Sequence, residues 1–410
     1  SDDVETVMAS NQAAPGMTIY LGSETQLPDT RMQASLGPEN TPAYRGLAYI
    51  VFNDFALAAY GNSLMGAPIK AEVMKQHATT LSVATRTLPM VDSWSRVAAT
   101  PDGVIALPGE SLASSFAARS ANGVAWSKTS FKSSRSRYGI SAADNGIVIA
   151  LRSNEGVDVS VDHGATWTEY KNDSLQVRGI PYSPYSYRAI TWNGSVFCVI
   201  ADSGTVCATS SDGIEWTAGV MPSSRNWMAV AWNGSVFCAV AGGAGNVCAT
   251  SPDGLTWTER TMSMAASWND IEWNGSLFCA VAYGSTRIGA ISPDGITWTN
   301  VGTGLSGNLR AITWNGEYFF IPNYGFGVAF ISPDGTNWSS LTMPSGYWYD
   351  VCSYNGVFVV VETGTSRALT VIVKKTGAGE PLSEIVAEEC LDSGLLGPAD
   401  IDVSALSQSV

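Results

Sequence analysis

The sequence predicts an all-β-dominated protein: a seven-bladed β-propeller inserted into a small α+β domain. Two phrases that recur about every 40 residues predict the propeller. One is an Asp-Gly turn that ends in Trp, and the other is a Trp-Asn-Gly hairpin. Residues 77–376 are assigned to the propeller. The flanks, residues 1–76 and 377–410, share neither phrase, so they are assigned to a second, discontinuous domain.

The Asp-Gly turn is most regular at 251–257, where the residues are Ser-Pro-Asp-Gly-Leu-Thr-Trp. It resembles the Asp-box of sialidases and other propellers, a structural turn between the third and fourth strands of a blade. The resemblance implies that the Asp caps turn amides and that the Trp fills space between blades. The aspartates assigned to such turns are Asp162, Asp212, Asp253, Asp294 and Asp334. The Trp residues that end the turns, at 126, 167, 216, 257, 298 and 338, are 41, 49, 41, 41 and 40 residues apart.

The Trp-Asn-Gly phrase occurs at 192–194, 232–234, 273–275 and 314–316. Asn-Gly between apolar runs is typical of a tight hairpin, because both residues tolerate positive φ. Each repeat then holds four short strands, as a propeller blade does. The last repeat stops after its third strand, at 368–373, and a strand at 79–90 is expected to close the ring. Seven blades are predicted from first strands that begin near Arg96, Tyr138, Arg188, Met228, Asn269, Arg310 and Asp350.

The flanks carry three short phrases and one amphipathic segment. The phrases are Tyr-Leu-Gly at 20–22, Ala-Tyr-Arg-Gly-Leu-Ala-Tyr at 43–49 and Gly-Asn at 61–62, and a helical face is expected at 382–390. They resemble bacteriophage tail hub proteins, the tail-tip host-specificity proteins also found in gene transfer agents. The resemblance covers about 110 residues and implies that the propeller is inserted into a small α+β tail-hub domain of a longer protein. It also implies a homotrimer, contacts with other tail proteins, assembly in the host cytoplasm and a place in the distal tail of the virion.

Composition argues against several classes of function. The net charge is −14 and no basic face is evident, so nucleic-acid binding is not expected. The sequence has no apolar run of 18 residues, so no membrane-spanning segment is expected. With two His and no Cys-x-x-Cys pair, neither a metal site nor a cofactor is expected. Cys198 could face Cys207, and Cys238 could face Cys248; buried thiols are favoured, and their oxidation state stays open.

Aromatic residues outside the two phrases predict a recognition surface. Trp94, Trp227, Trp268 and Trp348 each lie at or just before the start of an inner strand, hence at one end of the central channel. Tyr187 and Tyr349 hold similar positions, Arg96, Arg188 and Arg310 lie beside or among them, and the connection 171–187 adds Tyr182 and Tyr185. Aromatic side chains with Arg are typical of binding surfaces, and flat rings suit sugar faces. The alternative is that these Trp rings pack between neighbouring blades.

Three functions remain open. The first is a structural part of a tail-tip hub whose propeller binds a host-surface glycan or receptor. In the second, the propeller only contacts other tail proteins, and the third is a glycan-depolymerising enzyme. Glycoside hydrolysis needs two carboxylates about 5–10 Å apart. Asp270, Glu272 and Asp350 are expected on the channel side, but no spacing singles out a pair. We therefore expect no enzymatic activity and assign no catalytic residue.

Overall fold

The computed structural model describes five strands between residues 19 and 75, and residues 78–376 apart from 110–113, 154–155, 172–186, 285–288 and 302–304. Every regular element in this described part is a β-strand. The chain divides into two compact units, residues 1–80 with 374–410, and residues 81–373. No helix in the described ranges has the length and apolar character that crossing a membrane requires.

In the first unit, the described strands form one antiparallel sheet in the order β2-β1-β3-β4-β5. Leucine, tyrosine and β-branched residues dominate β3, which pairs with β1 on one side and β4 on the other. The strands are β1 (Ile19–Gly22), β2 (Gln33–Ala34), β3 (Leu47–Phe52), β4 (Phe55–Tyr60) and β5 (Lys70–Lys75).

The second unit is built from four-stranded antiparallel repeats. The second strand of a repeat is an apolar run buried on both faces, as at Phe197–Ala201 and Phe237–Ala241. The Asn-Gly phrase makes the hairpin before it: the Asn193 side-chain oxygen accepts the amides of Ser195 and Val196 at 2.9 and 2.7 Å. Gly194 there adopts a φ of 95°, a conformation that favours glycine.

Hydrogen bonds group these strands into five sheets. Three sheets have four strands each. The first holds β10 (Arg137–Ala142), β11 (Val148–Arg152), β12 (Gly156–Ser160) and β13 (Thr168–Lys171), and the second holds β14 (Tyr187–Trp192), β15 (Phe197–Ala201), β16 (Val206–Ser210) and β17 (Thr217–Val220). The third holds β26 (Thr313–Trp314), β27 (Phe319–Pro322), β28 (Val328–Ser332) and β29 (Ser339–Thr342). An eight-stranded sheet holds β18 (Trp227–Trp232), β19 (Phe237–Ala241), β20 (Gly245–Ser251), β21 (Thr258–Trp273), β22 (Phe278–Gly284), β23 (Gly289–Ser292), β24 (Thr299–Asn300) and β25 (Gly307–Asn308). A six-stranded sheet has the order β30-β31-β6-β7-β8-β9, with β30 (Trp348–Tyr354), β31 (Val357–Thr376), β6 (Ala78–Thr100), β7 (Gly103–Pro108), β8 (Ser114–Ser120) and β9 (Ser127–Arg135).

The predicted fold class is wrong in two respects. The described residues contain no helix, so the α+β domain is not supported, and the helical face expected at 382–390 lies outside the described residues. The count of seven separate blades is not supported either, because residues 78–376 form five sheets. The physical reason is continuity between repeats: β21, for example, pairs with β20 along its first part and with β22 along its second.

The first strands of the repeats lie side by side around a central channel, and carboxylates fasten some of them together. Asp270 on β21 accepts the amide of Ile312 at 2.8 Å, and Asp350 on β30 accepts the amide of Val97 on β6 at 2.8 Å. The second of these bonds joins the beginning of the unit to its end. Because neighbouring strands are antiparallel, the turns after the second strands lie at the same end of the channel as the connections between repeats.

Candidate ligand-binding face

The four tryptophans predicted at the channel end are buried. Trp94, Trp227, Trp268 and Trp348 each have 0% of their surface exposed. In three of them the indole nitrogen donates to the carbonyl oxygen four residues earlier, for example Trp348 to Pro344 at 2.8 Å. That bond turns the ring back under the preceding connection, into the core. The four rings therefore do not form the exposed recognition surface that the sequence predicted. They pack in the core.

Tyr187 is also buried, at 2% exposure, and this burial raises the pKa of its hydroxyl. Tyr182 and Tyr185 lie outside the described residues. The other predicted residues do meet. Arg96, Arg188, Arg310 and Tyr349 line one cavity of about 140 Å³ at the channel, together with Asn269, Asp270 and Asp350.

Arg310 is surrounded by tyrosine rings. Its guanidinium carbon lies 4.3 Å from the ring centroid of Tyr324, 4.6 Å from that of Tyr349 and 5.5 Å from that of Tyr283. Tyr324 in turn contacts Tyr347, with ring centroids 5.2 Å apart, and meets Tyr349 edge-on at 6.1 Å. We call Tyr283, Tyr324, Tyr347 and Tyr349 the tyrosine cluster.

Backbone hydrogen bonds between repeats position the turn that carries Tyr324. The amide of Tyr324 donates to Asn308 O at 3.1 Å, and the amide of Gly325 donates to Gly346 O at 2.9 Å. The turn is thereby tied to the connections on both sides of it. Gly325 has a φ of 83° and sits under the Tyr347 ring.

An ion pair holds the connection that carries Tyr347. The amide of Tyr347 donates to Glu362 Oε1 at 2.9 Å. The Arg367 guanidinium binds both oxygens of Glu362, at 2.7 and 3.1 Å, and also donates to Ser345 O at 2.7 Å. Glu362 is buried, whereas the Arg367 side chain is 37% exposed. The tyrosine cluster therefore stands on a fixed scaffold rather than on free loops.

Three side chains of this region are well exposed: Tyr283 at 46%, Phe326 at 48% and Tyr347 at 58%. They are the only aromatic residues among the exposed large hydrophobic side chains of the described ranges. Tyr283 lies near the end of β22, Phe326 on the turn after β27 and Tyr347 on the connection before β30. The sequence prediction missed them together with Tyr324. A usable signal existed, because Tyr283 and Tyr324 replace the small or acidic residues, Asp202 and Gly242, that follow the second strand in other repeats.

The channel carboxylates are engaged by backbone amides. Asp270 accepts the amides of Ile271 and Ile312, and Asp350 accepts those of Val97 and Val351, all at 2.8–2.9 Å. Burial, and then the charge of Asp350, raise the pKa of Asp270 to about 7. Burial and the charge of Asp270 raise the pKa of Glu272 to about 8. The hydrogen bonds of Asp270 and Asp350 give both a structural role in joining inner strands.

The Asp-Gly turns form a repeated hydrogen-bond motif. In the turn at 251–257, Asp253 Oδ1 accepts the Leu255 and Thr256 amides at 2.9 and 2.8 Å and the Ser251 hydroxyl at 2.9 Å. Trp257 closes the turn by donating its indole N–H to Gly254 O at 3.1 Å. Partial burial raises the pKa of such a carboxyl, but these bonds outweigh burial and lower it overall. The same lowering holds at Asp162, Asp212, Asp253, Asp294 and Asp334.

The described cysteines are free thiols, buried between repeats. Cys198 and Cys207 contact the carbonyl oxygens of Gly254 and Leu255 in the next repeat's turn, and burial raises the pKa of Cys207 to about 12. Within the described ranges, no three His, Cys, Asp or Glu side chains are grouped as a metal site would require.

Comparison with known proteins identifies the fold. No protein-family model matches the chain, and no curated protein matches its sequence. Several solved structures are similar. YCF48 bound to a D1 peptide is 13% identical with a TM-score of 0.57, and the match covers 72% of this chain and 97% of that one. Virginiamycin B lyase from Staphylococcus aureus is 10% identical with a TM-score of 0.59, covering 71% of this chain and 99% of that one.

A third similar structure is YCF48 from Cyanidioschyzon merolae, which is 14% identical with a TM-score of 0.54, covering 71% of this chain and 98% of that one. At these identities the likeness shows the fold alone. One of these neighbours is a lyase and one was solved with a peptide, so the fold accommodates both catalysis and binding. The repeat-containing part of the chain is a β-propeller.

Proposed function

We propose that this chain is part of a phage tail-tip hub and that its propeller binds a host-surface glycan or receptor through the tyrosine cluster. The hub assignment is supported by the phrases in the flanks that resemble tail hub proteins. The Tyr-Leu-Gly phrase lies on β1, and the last three residues of the phrase at 43–49 lie on β3. From that resemblance come the further proposals of a homotrimer, of contacts with other tail proteins and of a place in the distal tail of the virion.

The observation that carries the binding proposal is the grouping of exposed aromatic side chains. Tyr283, Phe326 and Tyr347 are exposed at one end of the channel, and Tyr283 lies beside Arg310. Hydrogen bonds hold the turn of Phe326 and the connection of Tyr347. Exposed aromatic side chains are costly to leave in water and contribute strongly to binding when a ligand covers them. The hydroxyl groups of Tyr283 and Tyr347 can also hydrogen-bond a polar ligand such as a sugar.

Binding is favoured over catalysis by the carboxylates. Each oxygen of Asp270 and Asp350 accepts a backbone amide, and these bonds join neighbouring inner strands, which favours a structural role for both carboxylates. The tyrosine cluster, by contrast, presents exposed rings and no paired carboxylates.

A glycan array of acidic and neutral bacterial-surface oligosaccharides, probed with the labelled full chain, tests the proposal. We expect the wild type to bind a subset of the array and a Tyr283→Ala, Tyr347→Ala double variant to lose at least tenfold in affinity. The matched control is Val161→Ala, Ile296→Ala, which removes exposed side chains from Asp-Gly turns elsewhere on the propeller. Absence of binding by the wild type, or equal binding by the double variant, would overturn the proposal.

A further inference from the structure

Arg310 differs from the other arginines of the propeller that lie near acidic side chains. Arg137, Arg119 and Arg367 each form an ion pair, with Asp158, Asp102 and Glu362 respectively, at 2.7–2.8 Å. The Arg310 side chain makes no ion pair or hydrogen bond with any described residue, and its Nε is buried without an acceptor. Three tyrosine rings lie around its guanidinium.

The charged side chains that line the cavity also favour an anion beside Arg310. Arg96, Arg188 and Arg310 line it, against Asp270 and Asp350. Arg96 donates to the backbone oxygens of Ser95 and Tyr138 at 2.6 and 2.5 Å. The two carboxylates accept the backbone amides of Ile312 and Val97. Three arginines against two carboxylates give the lining an excess of positive charge, although the whole chain carries −14.

We propose that Arg310 is the anion anchor of a binding site for acidic sugars, in which a sugar carboxylate pairs with the guanidinium and the sugar ring packs on the tyrosine cluster. This inference rests on the proposed function and names the class of glycan. A guanidinium binds a carboxylate through two parallel hydrogen bonds, and the tyrosine rings around Arg310 fix its plane before the ligand arrives.

The exposed aromatic side chains indicate that the ligand contains a ring that can pack against them. Tyr283 is one of the rings around Arg310 and is 46% exposed, and Tyr347 is 58% exposed. A ligand that reaches Arg310 therefore passes over flat, partly apolar faces that carry hydroxyl groups. An acidic monosaccharide supplies both the carboxylate and a ring with one apolar face.

The test compares acidic and neutral members of two probe pairs by calorimetry on the full chain. Trigalacturonate is compared with its methyl ester, which neutralises the carboxylates, and sialyllactose is compared with lactose. We expect at least one acidic probe to bind, its neutral partner to bind at least tenfold more weakly, and added salt to weaken the acidic probe. The two pairs distinguish a uronic acid from a nonulosonic acid as the source of the carboxylate.

Variants complete the test. Arg310→Gln should abolish the preference for the acidic probe, whereas Arg225→Gln, which removes an exposed arginine from another connection, should leave it unchanged. The melting temperature of each variant serves as the check on folding. Equal binding of acidic and neutral probes, an unaffected Arg310→Gln variant, or no binding of either acidic probe would overturn the inference. Tyrosine-dependent binding of neutral glycans only would overturn the acidic-sugar inference while leaving the proposed function standing.

Discussion

At the scale of single residues, Glu272 has the clearest consequence for stability. Its folded pKa of about 8 lies above the usual value of 4.5, because burial and the charge of Asp270 disfavour the ionised form. Between those two values the unfolded chain releases a proton that the folded chain keeps. The free energy of unfolding therefore falls as pH rises through this window and is level above it.

Glu272→Gln should remove this pH dependence. Glutamine mimics the protonated side chain, so the variant should match the wild type near pH 4.5 and exceed its unfolding free energy at pH 8.5 by ~1–2 kcal/mol, a figure reduced for partial exposure. Urea denaturation at both pH values measures the difference. Glu215→Gln, at an exposed turn position, is the control and should follow the wild-type curve. An equal change in unfolding free energy between the two pH values for wild type and Glu272→Gln would contradict the prediction.

The residue scale also shows where sequence reasoning fails. Trp227 and Trp348 begin strands as predicted, whereas Trp94 and Trp268 lie inside the long strands β6 and β21. In all four cases strand position does not fix the direction of the indole ring. A hydrogen bond to the carbonyl four residues earlier turns three of these rings inward. The tyrosine cluster escaped prediction for a different reason: its members come from two strands, a turn and a connection. Only the folded ring of repeats brings three of them, Tyr283, Tyr324 and Tyr349, around Arg310.

At the scale of elements, the Asp-Gly turn is local chemistry and was therefore accessible from sequence. In the turn of Asp253 the hydrogen bonds of the carboxylate join residues at most three positions apart. The sheets are a different matter, because whether β21 continues through a connection depends on pairing with both β20 and β22. The recurring turn motifs do not show whether a strand continues into the next repeat. The number of sheets therefore differs from the predicted number of blades.

Asp253→Ala should measure what one turn contributes. The substitution leaves the Leu255 and Thr256 amides and the Ser251 hydroxyl without their acceptor. We expect the free energy of unfolding to fall by ~1–2 kcal/mol at pH 7, as for the loss of a helix N-cap. Because the pKa of Asp253 is lowered in the fold, the effect should shrink as pH falls below 4. Thr256→Ala, an exposed change in the same turn, is the control, and an equal loss in both variants would argue against a capping role.

At the scale of the whole molecule, closure joins residues nearly 300 positions apart in sequence. In the six-stranded sheet, β6 is the neighbour of β31, and Arg86 on β6 donates to Thr370 at 2.9 Å. Leu88 of the same strand belongs to a core cluster with Val359, Val361 and Ala368. The strand from the beginning of the propeller thus completes the core of its last repeat.

Leu88→Ala should therefore destabilise the ring as a unit. Leu88 is 1% exposed, and removing a buried leucine side chain costs ~2–4 kcal/mol through lost burial and the cavity that remains. If closure couples the repeats, guanidinium unfolding followed by tryptophan fluorescence should keep one transition and move it to lower denaturant. Val91→Ala, at a 67% exposed position on the same strand, should leave the midpoint within error. A separate early transition in Leu88→Ala would instead mean that the last repeat opens alone and that the rest of the ring does not depend on closure.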